Sequence, residues 1–198
     1  DKAKLQLILS LRKAAMKKME QEIRLRVDDF DDVRDRIVAA GAVLESSKDQ
    51  YDTYYASILM IEALGRSFII RVRKSGGSAI LTFKGATGKD GYYEEYETEV
   101  KDEKETKKML ERSGFEKVIS VKKRRELYKY KNSSINFDSV SGLGNFVEIE
   151  IISEKNADKE LGSVVKELGL EGYEPTRKGY VSLLLVKKHS KYRKYINE

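Results

Sequence analysis

The sequence predicts an α+β fold of about eight antiparallel strands, enough to close a barrel, with helices packed outside and two pseudo-repeated halves. Three observations lead there. Apolar residues recur with period two over most of residues 19–152, the spacing of side chains on a half-buried strand. Stretches of helical period interrupt that pattern and then follow it. At an offset of 73 residues, Glu22, Val27, Asp29, Gly41 and Tyr55 fall on Glu95, Val100, Asp102, Gly114 and Tyr128. Each half then reads as strand, helix, strand and further strands.

Asp1–Lys18 has the pattern of a short basic amphipathic helix, with Leu5, Ile8, Leu9 and Leu11 as its apolar residues. Met19–Val27 is the first strand. Phe30–Ala40 sets Phe30, Val33, Ile37 and Val38 on one helical face. Strands follow at Asp52–Glu62, Ser67–Lys74 and Ser78–Lys84, the last two joined by a turn at Gly76–Gly77. A glycine turn at Gly88–Gly91 leads into a strand over Tyr92–Val100. Asp102 is placed to cap a helix over Glu103–Arg112 that stops before Gly114. Strands over Val118–Tyr130, Ser134–Val140 and Asn145–Ile152 come next, the last two linked by Gly142-Leu143-Gly144. Ala157–Leu168 is a third helix, and Tyr180–Val186, after Pro175, reads as either helix or strand. The chain divides into an N-terminal extension (1–18), one domain (19–186) and a basic C-terminal tail (187–198).

Composition removes several classes of chemistry. None of the 198 residues is Cys, which excludes disulfides and thiolate metal sites and makes a reducing cytoplasm the expected compartment. The single His, His189, sits in the basic tail, so His-based catalysis has no constellation to use. No apolar stretch approaches the roughly 18–20 residues that span a bilayer, and no small-residue cleavage site follows Leu5–Leu11. Neither a membrane partner nor a secretory signal is expected. The net charge of +6 suits a nucleic-acid partner until it is located. Six Lys or Arg against Asp1 give residues 1–18 a charge of +5. Five against Glu198 give residues 187–198 a charge of +4, which leaves −3 for residues 19–186. The surplus is terminal, so nucleic acid is not the expected partner.

Within the strands, charge keeps to one face. Glu20, Glu22, Arg24 and Arg26 alternate with Gln21, Ile23, Leu25 and Val27. Arg71 and Arg73 oppose Ile70 and Val72; Glu95, Glu97 and Glu99 oppose Tyr96, Thr98 and Val100; Glu148 and Glu150 alternate with Val147, Ile149 and Ile151. Lys123 and Arg125 share a face of the sixth strand, Asp138 lies on the seventh and Lys84 ends the fourth. A solvated outer face would explain any one of these strands. Their recurrence, without interspersed Thr, Ser and Gln, points instead to a barrel that turns its apolar faces outward and lines its interior with charge. Clustered carboxylates suit a hard divalent cation, and clustered Arg and Lys suit phosphate. Both clusters in one interior suggest a metal-bound polyphosphate.

These residues resemble the CYTH superfamily, also called triphosphate tunnel metalloenzymes. Glu20-Gln21-Glu22-Ile23-Arg24 is similar to the family's ExExK signature. In the family's order follow Gln50-Tyr51-Asp52-Thr53-Tyr54-Tyr55, Ile70-Arg71-Val72-Arg73, Leu81-Thr82-Phe83-Lys84-Gly85, Glu95-Tyr96-Glu97-Thr98-Glu99 and Val121-Lys122-Lys123-Arg124-Arg125. Asp138 and then Gly142-Leu143-Gly144-Asn145-Phe146-Val147-Glu148-Ile149-Glu150 complete the set, and the order looks most like the class IV adenylyl cyclase branch.

The resemblance implies Mg²⁺ or Mn²⁺ on Glu20, Glu22, Glu148 and Glu150. It implies a triphosphate held by Arg71, Arg73, Lys84, Lys123 and Arg125, and the charged face of the first strand adds Arg24 and Arg26 as candidates for the same phosphates. The reaction is then either ATP to cyclic AMP and pyrophosphate, or hydrolysis of inorganic, thiamine or nucleoside triphosphate. Glu97 or Asp138 is the candidate proton acceptor, and Arg24 a catalytic cation. Two positions depart from the pattern. Arg24 replaces a usual Lys and cannot shuttle a proton as Lys can, and Tyr93 stands where an Arg often precedes the acidic strand. A non-catalytic polyphosphate-binding module is the alternative that these departures support. A homodimer is an expected assembly, since antiparallel barrels of this kind offer surfaces that can pair.

Overall fold

The computed structural model describes residues 19–86, 93–153, 157–176 and 178–196. The chain runs β1 (Met19–Val27), α1 (Asp31–Ala39), β2 (Val43–Ala56), α2 (Ile58–Leu64), β3 (Phe68–Ser75), β4 (Ser78–Ala86) and β5 (Tyr93–Val100). It continues α3 (Glu103–Arg112), β6 (Glu116–Tyr130), β7 (Ser133–Val140), β8 (Gly144–Ser153), α4 (Ala157–Glu167), β9 (Pro175–Thr176) and α5 (Tyr180–Lys187), then a 3-10 turn at Lys191–Lys194. The helix expected at Asp1–Lys18 and the turn at Gly88–Gly91 lie outside the described residues. No described helix is long and apolar enough to cross a membrane.

All nine strands form one antiparallel sheet in the order β5-β4-β3-β2-β6-β7-β8-β1-β9. Exchanging β1–β4 with β5–β8 turns the first eight places of that order into its own reverse, so the halves are related by a pseudo-two-fold at the β2–β6 pair. The 73-residue offset expected from sequence holds at residue level. It carries β2 onto β6, and both strands meet their next partners at equivalent residues, Gln50 opposite Ser75 and Lys123 opposite Val140. The sheet curls in a barrel-like way. Its charged face has no second sheet above it, yet Arg24, Asp52, Arg71, Lys123, Asp138 and Glu148 are all buried. Among the described residues no pairing joins β5 to β9, so the hydrogen-bonded seam is open there.

The apolar faces point outward under helices, as expected. Leu25, Phe137, Val147, Ile149 and Ile151 pack with Val33 and Ile37 of α1 and Leu161, Val164 and Val165 of α4. One helix breaks the rule that helices lie outside. α5 is apolar nearly all round, the pattern of a helix enclosed on every side. Its Tyr180, Val181, Leu184 and Leu185 cluster with Ile69, Ile119, Val121, Val140 and Phe146, which share faces with Arg71, Lys123, Asp138 and Glu148. α5 therefore stops one end of the concave face, and the ambiguous stretch at Tyr180–Val186 is a helix. Tyr192 and Ile196, in the stretch read as a tail, are buried in the same cluster.

The strand expected at Asp52–Glu62 is corrected at both ends. β2 begins at Val43 and stops at Ala56, because Ile58–Leu64 forms α2, ended by Gly65 in the left-handed region (φ 62°). The apolar run Ile58-Leu59-Met60-Ile61 carries no period that separates a short helix from a strand. The first half of β2 is largely solvent-exposed, so it lacks the alternation that marks a strand.

Candidate functional site

Strand register sets opposite charges directly across from one another, where cross-strand side chains are closest. β1 and β8 place Arg24 opposite Glu148, and β6 and β7 place Arg125 opposite Asp138. Arg24 donates from Nε to Glu148 (2.6 Å), from Nη2 to Glu22 (2.9 Å) and from Nη1 to the Lys178 carbonyl (2.8 Å). Arg125 bonds Asp138 and also the second oxygen of Glu148. Lys123 donates to Asp138 at 2.7 Å, and the Tyr180 hydroxyl donates to the same carboxylate oxygen at 3.0 Å. The Tyr180 ring lies 4.5 Å from the Arg24 guanidinium carbon and 5.0 Å from Lys123 Nζ, so the first residue of α5 joins both pairs.

The other half carries a second network. Asp52 accepts from Nε and Nη2 of Arg73, each at 2.8 Å. Arg71 donates to Thr82 (3.0 Å) and Glu97 (2.7 Å), and Thr82 donates to Glu97 at 2.9 Å. Lys84 pairs with Glu95 at 3.2 Å.

Burial opposes every charge here, and neighbours decide the outcome. For Glu148, burial alone would raise the pKa, but Arg125, Arg24 and Lys123 outweigh it and hold the carboxyl well below its usual value. Asp52 is depressed against burial by Arg73, then by Arg71 and Lys123. Glu97 is depressed against burial by the Thr82 hydrogen bond and Arg71. Lys123 goes the other way. Burial and then the charge of Arg125 lower it, despite opposition from Asp138 and Glu148. Burial, Glu148 and Asp138 push the Tyr180 phenol well up.

The depressed carboxylates make stability pH-dependent. The unfolded chain takes up protons at ordinary carboxylate values, before the folded chain does, so the stabilisation from Glu148, Asp52 and Glu97 is complete above that range. It is lost as pH falls through their lower folded values. Thermal unfolding is therefore expected to be insensitive to pH above about 5 and to drop steeply below about 4; a flat melting temperature down to pH 3 would contradict these networks.

Most of the expected site residues meet on one face. Glu22, Glu148 and Glu150 each offer a carboxylate oxygen within 4.8 Å of the others, an all-oxygen set that fits a hard divalent cation. The side chain of Glu20 lies outside the described residues. Arg26 is exposed and stands apart, donating to the Leu143 carbonyl at 2.9 Å. Asp138 is fully buried, and both its oxygens are already engaged by Lys123, Arg125 and Tyr180. Four further residues belong here. Asp52 and Thr82 stand in the motifs quoted above, but only register reveals their partners, and the place of Tyr180 depends on where α5 docks. Asn136 lies on the Asp138 face, 98% buried, and its Nδ2 donor has no partner among the described residues. A buried amide gave no signal in the sequence.

The chain is similar to several known proteins. A Methanocaldococcus jannaschii protein provisionally named an adenylate cyclase is 29% identical over 177 residues, covering 83% of this chain and 98% of its own. Adenylate cyclase CyaB of Aeromonas hydrophila is 23% identical over 174 residues, covering 84% and 88%. A Pyrococcus horikoshii protein of solved structure superposes with a TM-score of 0.73 at 30% identity, covering 83% of this chain and 99% of its own. A Hippeastrum protein described as having a dominant triphosphatase activity shares the fold, with a TM-score of 0.64 at 15% identity over 87% of this chain and 96% of its own. The CYTH domain model matches residues 18–180, which takes in the whole charged face and the start of the helix that stops it, and the chain belongs to the CYTH family.

Proposed function

We propose that the protein is a divalent-metal-dependent enzyme that acts on a triphosphate held in the charged interior of its sheet. One observation carries this reading: the Glu22, Glu148 and Glu150 carboxylates and the cations Arg24, Arg71, Arg73, Lys123 and Arg125 converge on one concave, mostly buried face. Glu22, Glu148 and Glu150, with Glu20, would hold the Mg²⁺ or Mn²⁺, which would supply Lewis-acid polarisation of phosphoryl oxygens when bound.

Arg71, Arg73, Lys123 and Arg125 neutralise the phosphates, with Lys84 at the end of β4. Asn136 Nδ2 offers a neutral donor beside them. Arg26, at the Leu143 end, can meet only a group that projects from the tunnel. Arg24 stays charged throughout, because Glu148 and Glu22 raise its pKa further against burial. It stabilises charge and shuttles no proton. Asp138 acts by holding Lys123 and Arg125, since its lone pairs are engaged. Glu97, about half exposed and tied only at one edge to Arg71 and Thr82, is the proton acceptor that remains.

Both chemistries named among the relatives suit this site. In cyclisation, the ribose 3′-hydroxyl of ATP attacks the α-phosphorus, its proton passes to the acceptor and pyrophosphate leaves. In hydrolysis, water attacks the terminal phosphorus and gives its proton to the acceptor, the bond to the bridging oxygen breaks, and the diphosphate leaves as the attacked group becomes orthophosphate. The cyclase names of the sequence relatives favour the first, while the arginine at position 24 leaves the second without the lysine usual at that position. Phosphorus NMR after incubation with ATP and with tripolyphosphate, under Mg²⁺ and under Mn²⁺, separates them. Cyclic AMP with pyrophosphate is the expected result, orthophosphate from tripolyphosphate would make the protein a triphosphatase, and no product from any triphosphate would overturn the enzymatic reading.

A further inference from the structure

The pseudo-two-fold that relates the halves inverts one charge pair. Residue 52 on β2 corresponds to residue 125 on β6, and each faces the next strand at equivalent places, Asp52 opposite Arg73 and Arg125 opposite Asp138. One half thus carries the acid on the central strand and the base on the flanking strand, and the other half carries the reverse. The bonding repeats atom for atom. Each arginine turns Nε and Nη2 to the two oxygens of its carboxylate, and each carboxylate is buried.

What differs is what each guanidinium has left to offer. Arg125 also bonds Glu148 and lies 3.9 Å from Glu150, Arg24 serves Glu148, Glu22 and a carbonyl, and Arg71 serves Thr82, Glu97 and Glu95. Among the described residues Arg73 has Asp52 as its one side-chain partner, and its Nη1 is not engaged. A guanidinium gripped along one edge keeps its orientation and presents the other edge, the geometry that binds an oxyanion with least loss of side-chain freedom.

We infer that Asp52 is a positioning residue that holds Arg73 oriented toward the tunnel, making Arg73 the pre-organised anchor for the phosphates of the substrate. This rests on the triphosphate reading above. The inverted pair in the other half supplies a test, because it shows that this fold accommodates an arginine on the central strand with its acid on the flanking one.

The probe is a tripolyphosphate with methylene bridges, which resists cleavage, titrated by calorimetry in Mg²⁺ alongside melting curves. Asp52→Asn keeps the shape and is expected to weaken binding by roughly 10–100-fold, by analogy with the loss of a group that orients a metal ligand. Asp52→Arg alone sets Arg against Arg and is expected to lower the melting temperature. The double exchange Asp52→Arg with Arg73→Asp is expected to recover stability without recovering affinity, since the cation now sits on the wrong strand. Unchanged affinity in Asp52→Asn, or affinity recovered together with stability in the double exchange, would overturn the positioning role and leave the triphosphate reading intact. Absence of binding by the unsubstituted protein would overturn both.

Discussion

Glu148→Gln is expected to reduce metal-dependent turnover by about 10²–10³-fold or more, the scale seen when a preorganised electrostatic contact is removed from a transition state. Glu148 is where the cation network and the carboxylate triad meet. Its carboxylate is buried, takes Arg24 on one oxygen and Arg125 on the other, and belongs to the triad with Glu22 and Glu150. Glutamine keeps the shape and one oxygen but offers a neutral amide where two guanidiniums, and the metal ion proposed for the triad, would require a negative charge. Metal affinity should fall as well, measurable by calorimetry with Mn²⁺ without any turnover. Alanine at the same position should abolish turnover and also lower stability, so the glutamine variant is the cleaner probe. Full activity in Glu148→Gln would remove the basis for placing metal chemistry in this tunnel.

Asp138→Ala is expected to have the largest effect on stability, about 3–5 kcal/mol, the cost of stripping the partner from buried charges. For a chain of this length that is a fall of roughly 6–20 °C in melting temperature. Three groups lose a shared acceptor at once, Lys123, Arg125 and the Tyr180 hydroxyl, and of these Arg125 keeps Glu148. Lys123, already depressed by burial and by Arg125, has least to fall back on, and its ammonium should lose its proton more easily in the variant. α5 should loosen too, because Tyr180 is its first residue. Asp138→Asn retains an acceptor and should cost less stability. If Asp138 were instead the proton acceptor, asparagine would leave the fold untouched and remove turnover through kcat alone. A melting temperature within a degree or two of the unsubstituted protein in Asp138→Ala would contradict the network.

Where the physics is local, the residues alone predict the structure closely. β1 and α3 lie where period-two alternation and the Asp102 cap place them, and the Asp102 side chain does accept from the Glu105 amide. The charged faces were legible for the same reason, since alternation assigns each strand residue to a face without reference to its neighbours. Partnership was not legible. That Arg24 meets Glu148, or that Asp52 grips Arg73, depends on register between strands far apart in the chain, which no single strand encodes. Asp52 stood in the QYDTYY stretch as one polar residue among aromatic ones, and only its pairing with β3 gives it a role. α5 was ambiguous because an apolar segment enclosed on all sides shows no amphipathic period. Alternation groups Arg26 with Arg24, but Arg26 lies two residues further along β1, where the concave face gives way to the turn at Leu143.

Crystals grown with Mn²⁺ and the methylene-bridged tripolyphosphate would test the assignment most directly, through anomalous scattering at the manganese edge. The account predicts a manganese peak among the carboxylates of Glu22, Glu148 and Glu150, with phosphate oxygens against Arg71, Arg73, Lys123 and Arg125. Manganese or phosphate bound only outside the concave face, with the Glu148 contacts to Arg24 and Arg125 undisturbed, would contradict it.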